Sequence, residues 1–184
     1  MHLEGSTITA KTSDGFIGDM TVIAGKDARL DDVFTPEKNV KAESMSIRAG
    51  DAVNFGEGTV ALETKKDLTV EANHLTGDRI AAESVLTAGS ALSISVKEDL
   101  HVEEGVQASG KNVMFSSKDF TLADRTTVRG GSTAEIDASG EVAFTGDVLV
   151  TADDSVGIGA AAGGITFTGA VTVGDETKAE NKAK

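Results

Sequence analysis

The 184-residue chain has no cysteine, tryptophan or tyrosine, and Pro36 is its single proline. Lack of cysteine excludes disulfide staples, thiolate zinc sites and a cysteine nucleophile, and it fits a reducing or an oxidising compartment equally. Without tryptophan or tyrosine the usual sugar-stacking platforms are missing. Positive charge is scarce too: 17 Lys and Arg face 30 Asp and Glu, a formal charge of −13, and no basic cluster longer than Lys65-Lys66 precedes the tail. That balance opposes binding to phosphate backbones and argues against nucleic acid as a partner. No stretch approaches the roughly 20 consecutive apolar residues of a membrane helix. The opening MHLEGSTITAKTSDG lacks the basic start and apolar run of a secretory signal. The expectation is a soluble chain of open compartment, with an extracellular or cell-surface setting preferred and a cytoplasmic one as the alternative.

What is present is repetition. Hydrophobic residues make up 39% and charged residues 26% of the chain, ordinary for a folded protein, but there are 21 glycines. The phrases IRAGDAVNF (47–55), LTAGSALSI (86–94), VQASGKNVMF (106–115), IDASGEVAF (136–144) and IGAAAGGITF (158–167) share one form. An apolar residue and alanine lead into a small-residue corner, after which apolar and polar residues alternate. A second phrase, in which Asp precedes an apolar, any, apolar stretch, recurs as IGDMTVIA (17–24), KKDLTVEA (65–72), KEDLHVEE (97–104), SKDFTLAD (117–124) and TGDVLVTA (145–152). A longer match sets NVKAESMSIRAGDAVNF (39–55) against RIAAESVLTAGSALSI (79–94), about 40 residues apart, which suggests two turns of roughly 20 residues on the solenoid scale.

Alternation over four to six residues marks half-buried strands, and the Gly, Asn, Asp and Ser clusters mark turns. Strands this short bury their apolar face only when like strands stack above and below at roughly 4.8 Å. The expected fold is all-β: a parallel β-solenoid of about eight or nine short coils, with residues 1–174 as one domain and 175–184 as a charged, disordered tail. Right-handed coiling follows from the general preference of parallel crossovers. A helix over RIAAESVLTA, capped by Asp78, is the competing reading, and its match to the strand-like NVKAESMSIRA argues against it. Three interior ladders are expected: Phe55, Ile94, Phe115, Phe144 and Phe167; Ala49, Ala88, Ala108 and Ala138; and Leu68, Leu100, Phe120 and Val148.

Phrases such as GDVLVTA and SGKNVMFSSKDFTL, over residues 39–173, resemble the haemagglutinin-like repeats of filamentous adhesins exported by two-partner secretion. The resemblance implies a right-handed parallel β-helix and a role in long surface fibres, with a cell-surface or matrix partner. The start of the chain departs from that family, whose exported members begin with a secretion domain. A second resemblance, carried by chain length and the polar tail, is to bactofilins, short β-solenoids that polymerise end to end. The regular valine-x-glycine-isoleucine steps of that family are rare here.

No catalytic, cofactor-binding or metal-ligating residue is assigned. His2, His74 and His101 are neither paired at metal-ligand spacing nor set beside a serine nucleophile. GIGAAAGG (157–164) has the look of a dinucleotide loop, but a strand-like ITFTG follows it where a helix is required. Asp19, Asp67, Asp99, Asp119 and Asp147 would bind Ca²⁺ if they stacked in one row; Lys65, Lys66, Lys97 and Lys118 beside them favour solvated turns. The pairs Asp31-Asp32, Glu103-Glu104 and Asp153-Asp154 are adjacent in sequence and point to opposite faces in a strand, unsuited to shared proton transfer, which weakens the alternative of a carbohydrate-active β-helix enzyme against a non-enzymatic structural protein. Thr-x-Thr pieces at 7–9 and 166–168, with Thr172 nearby, do not recur once per coil as an ice-binding face requires. The expected partner is the chain itself, through the solenoid ends: the tail ETKAENKAK would guard the last coil, leaving the first, around STITAKT, open for association.

Overall fold

The computed structural model describes residues 15–38 and 40–174. It is a parallel β-solenoid with three sides. Coil 1 comprises β1 (Met20–Ala24), β2 (Ala28–Arg29) and β3 (Lys41–Ala42), and coil 2 comprises β4 (Met45–Ala49), β5 (Ala52–Asn54) and β6 (Ala61–Thr64). Coil 3 holds β7 (Leu68–Ala72), β8 (His74–Leu75), β9 (Arg79–Ile80) and β10 (Val85–Ala88). Coil 4 holds β11 (Ala91–Val96), β12 (Leu100–Val102) and the first half of β13 (Gln107–Ser117). The second half of β13 opens coil 5, which continues through β14 (Phe120–Leu122) into β15 (Thr127–Ala138). The end of β15 opens coil 6, completed by β16 (Glu141–Thr145) and β17 (Val148–Ala152). Coil 7 is β18 (Ser155–Ala160), β19 (Gly164–Thr168) and β20 (Val171–Gly174). RIAAESVLTA contributes strands β9 and β10, as its strand reading predicts.

Met20, Met45, Leu68, Leu92, Val113, Ala134 and Val156 stand one above another on the first side. The described residues therefore form seven coils, successive coils lying 21 to 25 residues apart by these positions. They are longer and fewer than the sequence reading expects. Alternation does the folding work: inward residues such as Ile47, Val70, Phe115, Ile136 and Val142 are at most 1% exposed, while their chain neighbours face solvent. Each such burial stabilises by roughly 1.5–3 kcal/mol, offsetting the ordering entropy of the strand.

The repeated phrases do mark corners, but not one corner. LTAGSALSI and VQASGKNVMF run from the third side to the first, whereas IRAGDAVNF, IDASGEVAF and IGAAAGGITF run from the first to the second. The expected aromatic ladder consequently divides. Ile94 and Phe115 pair on the first side, Phe144 and Phe167 on the second, and Phe55 lies just past β5 with its ring edge-on to Phe34 at 6.2 Å. The alanine ladder divides likewise: Ala108 pairs with Leu86, and Ala138 with Ser117 and Ala160. Of the third set, Leu100 and Phe120 stack on the second side, while Leu68 lies on the first and Val148 on the third. The 40-residue match fails as two coils for the same reason: it aligns the corner before β4 with the corner before β10, which differ by a side. A three-sided coil whose sides are chemically alike presents the same pattern at every corner, so similarity alone does not count coils.

The corner in LTAGSALSI shows why the small residues are needed. A Cβ on Gly89 would overlap the Lys65 carbonyl oxygen of the coil below. Stacked corners approach this closely because Gly89 itself donates its amide to Thr64 O at 3.0 Å. Between the second and third sides a different device recurs. Asp32, Gly56, Glu83, Gly105, Arg125, Gly146 and Gly169, one per coil, all have positive φ. Left-handed backbone in this corner of every coil sets the bend there, coil 3 adding Gly77 and Asp78 at its turn, and only four of those seven positions use glycine.

The second side is interrupted once. Strands β2, β5 and β8 form its lower part and β9, β12, β14, β16 and β19 its upper part, so coil 3 contributes to both across the turn Thr76–Asp78. The interruption leaves a small cavity lined by Val53, Leu75, Ile80, Leu86 and Ile94, with room for about 20 Å³, little more than one water.

Candidate functional site at the open end

The aspartates of the second phrase fall on three different corners. Asp19 and Asp67 precede first-side strands, Asp99 and Asp119 second-side strands, and Asp147 the third-side strand β17. No single carboxylate row forms, and among the described residues no three His, Asp or Glu side chains come together as a metal site. Two of these groups, and the nearby Asp124, instead cap the coil above. Asp67 Oδ1 accepts from the Ala91 amide at 3.1 Å, Asp119 Oδ1 from Glu141 at 2.8 Å, and Asp124 Oδ1 from Asp147 at 2.6 Å.

The amide of Glu141 holds the Asp119 carboxyl below the usual carboxylate range; partial burial opposes this and Lys118 adds to it. Lys118 Nζ lies 3.2 Å from Asp99 and 3.5 Å from Asp119, which raises its own pKa, Asp99 contributing most. A depressed carboxyl contributes stability above its unfolded pKa of about 3.9, and loses it as pH falls through the lower folded value. Asp119→Asn is therefore expected to flatten that acidic part of the stability curve relative to wild type. Urea midpoints measured from pH 6 down to pH 2.5 check this.

Other charges tie neighbouring coils together along the lower rod. Lys41 pairs with Glu63 at 2.6 Å, Arg48 with Glu71 at 3.2 Å, and Arg79 with both Glu57 and Glu103. Arg125 reaches Glu83 at 3.1 Å across Gly105. His74 lies 3.8 Å from Asp51, and His101 sits exposed on β12 between Arg79 and Thr121. Glu103 and Glu104 diverge, Glu103 turning to Arg79 and Glu104 to Arg125. Thr166 stacks on Ala143, and that column continues to Thr121 and His101, so the threonines form no flat face. His2, the Thr-x-Thr at 7–9, STITAKT and the tail lie outside the described residues.

The surface that stands apart is the top coil. Residues 155–174, SVGIGAAAGGITFTGAVTVG, carry no ionisable side chain, although charged residues make up 26% of the chain. GIGAAAGG forms the end of β18 and the corner into β19, and the backbone beyond it is strand. Ile165 and Phe167 pair with the fully buried Val142 and Phe144 below, yet are themselves 40% and 48% exposed. The Phe167 ring lies flat on Phe144 at 5.1 Å and leaves its other face open. An edge of parallel strands is usually protected by charge, proline or a covering segment. Here the edge residues supply none of the charge. At the other end Val22, Ala28, Leu30, Val33 and Phe34 are all at most 2% exposed. The expectation about the two ends rests on STITAKT and ETKAENKAK, which lie outside the described residues; within those residues the seventh coil is the uncharged one, with Ile165 and Phe167 exposed.

Among the described residues no helix is long and apolar enough to cross a membrane. In comparisons with known proteins, no family model, curated protein or solved structure matches the chain, whose fold is that of a parallel β-solenoid repeat protein.

Proposed function

We propose that the chain is a non-enzymatic structural module, a short rod of the fibre or surface-adhesin kind, and that it works by associating through its open end. The observation that carries this reading is the uncharged seventh coil, with Phe167 and Ile165 exposed directly above a closed core. Burying a large apolar side chain is worth roughly 1.5–3 kcal/mol, and an unpaired strand edge supplies main-chain hydrogen bonds to whatever pairs with it. The likeness of the corner phrases to haemagglutinin-like repeats supports the adhesin form. A bactofilin-like scaffold is the alternative, with the same surface as its contact.

Seven coils at about 4.8 Å give a rod about 34 Å long. Small-angle scattering over a concentration series tests the proposal. Lengthening at constant cross-section is the expected result; a maximum dimension that stays fixed at all concentrations overturns it and returns attention to the lateral faces.

A further inference from the structure

We infer that the open end is closed by the same end of a second copy, giving a two-fold, tail-to-tail dimer in which the two β19 strands pair antiparallel. This rests on the preceding reading that the top coil is an association surface, and it names the partner. Three observations point to it.

The first is what each end offers. A charged partner gains nothing from residues 155–174, which carry no charge to answer it. The first coil of another copy is a poorer match, because residues 15–44 carry six acidic and four basic residues. The surface that matches an uncharged, apolar strand edge is another copy of itself, and an interface between identical patches is two-fold.

The second is geometric. A two-fold axis across the rod turns every strand of the end coil over, so edges meet antiparallel. With the axis at Thr166, the middle of β19, Ile165 comes opposite Phe167 of the second copy, and β18 lies over β20. Ile165 and Phe167 both follow inward columns, over Val142 and Phe144, so the contact extends the core of each rod into the other. A two-fold contact uses the same patch on both copies, so growth through it stops at two.

The third is electrostatic. Between Ala134 and Asp154 there are six acidic residues and no basic one. In the dimer these two acidic belts are separated by the two uncharged coils, three steps of about 4.8 Å, or about 14 Å. That exceeds the screening length of about 8 Å at physiological ionic strength but falls well inside the roughly 30 Å of 0.01 M salt. Raising salt from 10 to 150 mM is thus expected to tighten the dimer several-fold.

The chain has no cysteine, so a single introduced thiol reports on one contact. Thr166 is outward-facing and exposed. Across the proposed axis its two Cα atoms come within about 4.5–5.5 Å, inside the span a disulfide accepts. Thr166→Cys under mild oxidation at micromolar concentration is expected to give mostly covalent dimer. His101→Cys, in the same column but midway along the rod, is expected to remain monomeric. Sedimentation of the wild-type chain is expected to stop at twice 18.8 kDa. Assemblies larger than two without Thr166→Cys cross-linking overturn the tail-to-tail geometry and leave end association standing. A monomer at every concentration, with no cross-link, overturns both.

Discussion

Replacing Phe120 with Ala is expected to lower stability by about 3–5 kcal/mol, the range for removing a buried aromatic side chain from a core that only partly collapses. Phe120 is 1% exposed, stacked between Leu100 below and Val142 above, and its ring lies 5.5 Å from that of Phe115 in the same coil. The loss is a large part of the 5–15 kcal/mol that a typical domain has in total. Solenoid coils contact chiefly their neighbours, so a void in coil 5 also weakens the coupling between the coils below and above. Circular dichroism in a urea series checks this, the expected result being a lower midpoint and a broader transition. Phe167→Ala provides the contrast. That ring is half exposed and stacked on one side only, so its loss is expected to cost less than half as much in the monomer.

That contrast bears on what was legible from sequence. Alternation gave inward and outward residues correctly almost everywhere, because a period of two survives any uncertainty about which side a strand occupies. Phe115, Phe120 and Phe144 are identifiable as core from their own neighbours alone. Stacking register is a different quantity, since it depends on coil length, and here that length varies. Coils 1 to 3 accommodate the turns near Val33 and Phe34, the stretch Gly56–Val60 and the break at Thr76–Asp78, while coils 4 to 6 do not. The repeated phrases pair Ile94 with Phe115 and Phe144 with Phe167 as the structure does, but they merge the two columns into one and leave out Ile136, the rung above Phe115. The open end was legible in one respect and missed in another. The absence of charge from 155–174 is visible in the letters, but the exposure of Ile165 and Phe167 above the buried Val142 and Phe144 depends on stacking register, which the letters do not carry.

Gly105→Val is the second substitution with a large expected effect, and its sign depends on a feature that no composition reveals. Gly105 has φ of +72°, a conformation a β-branched residue adopts only under strain. A Cβ there would also overlap the Glu83 carboxylate, which crosses Gly105 to meet Arg125. The backbone strain alone is about 1–3 kcal/mol, and the exposed ion pair adds little to it. A loss near the upper end of that range is expected in urea denaturation. The same ladder predicts the opposite sign where another residue occupies the position. Asp32 has φ of +56° in coil 1, so Asp32→Gly relieves strain while loosening the unfolded chain, and a stability unchanged or raised by up to about 1 kcal/mol is expected. If both substitutions destabilised equally, the shared left-handed bend would not be what shapes this corner. Opposite signs at coils 1 and 4 would establish it as a device of the repeat, used once per turn whatever residue the sequence supplies.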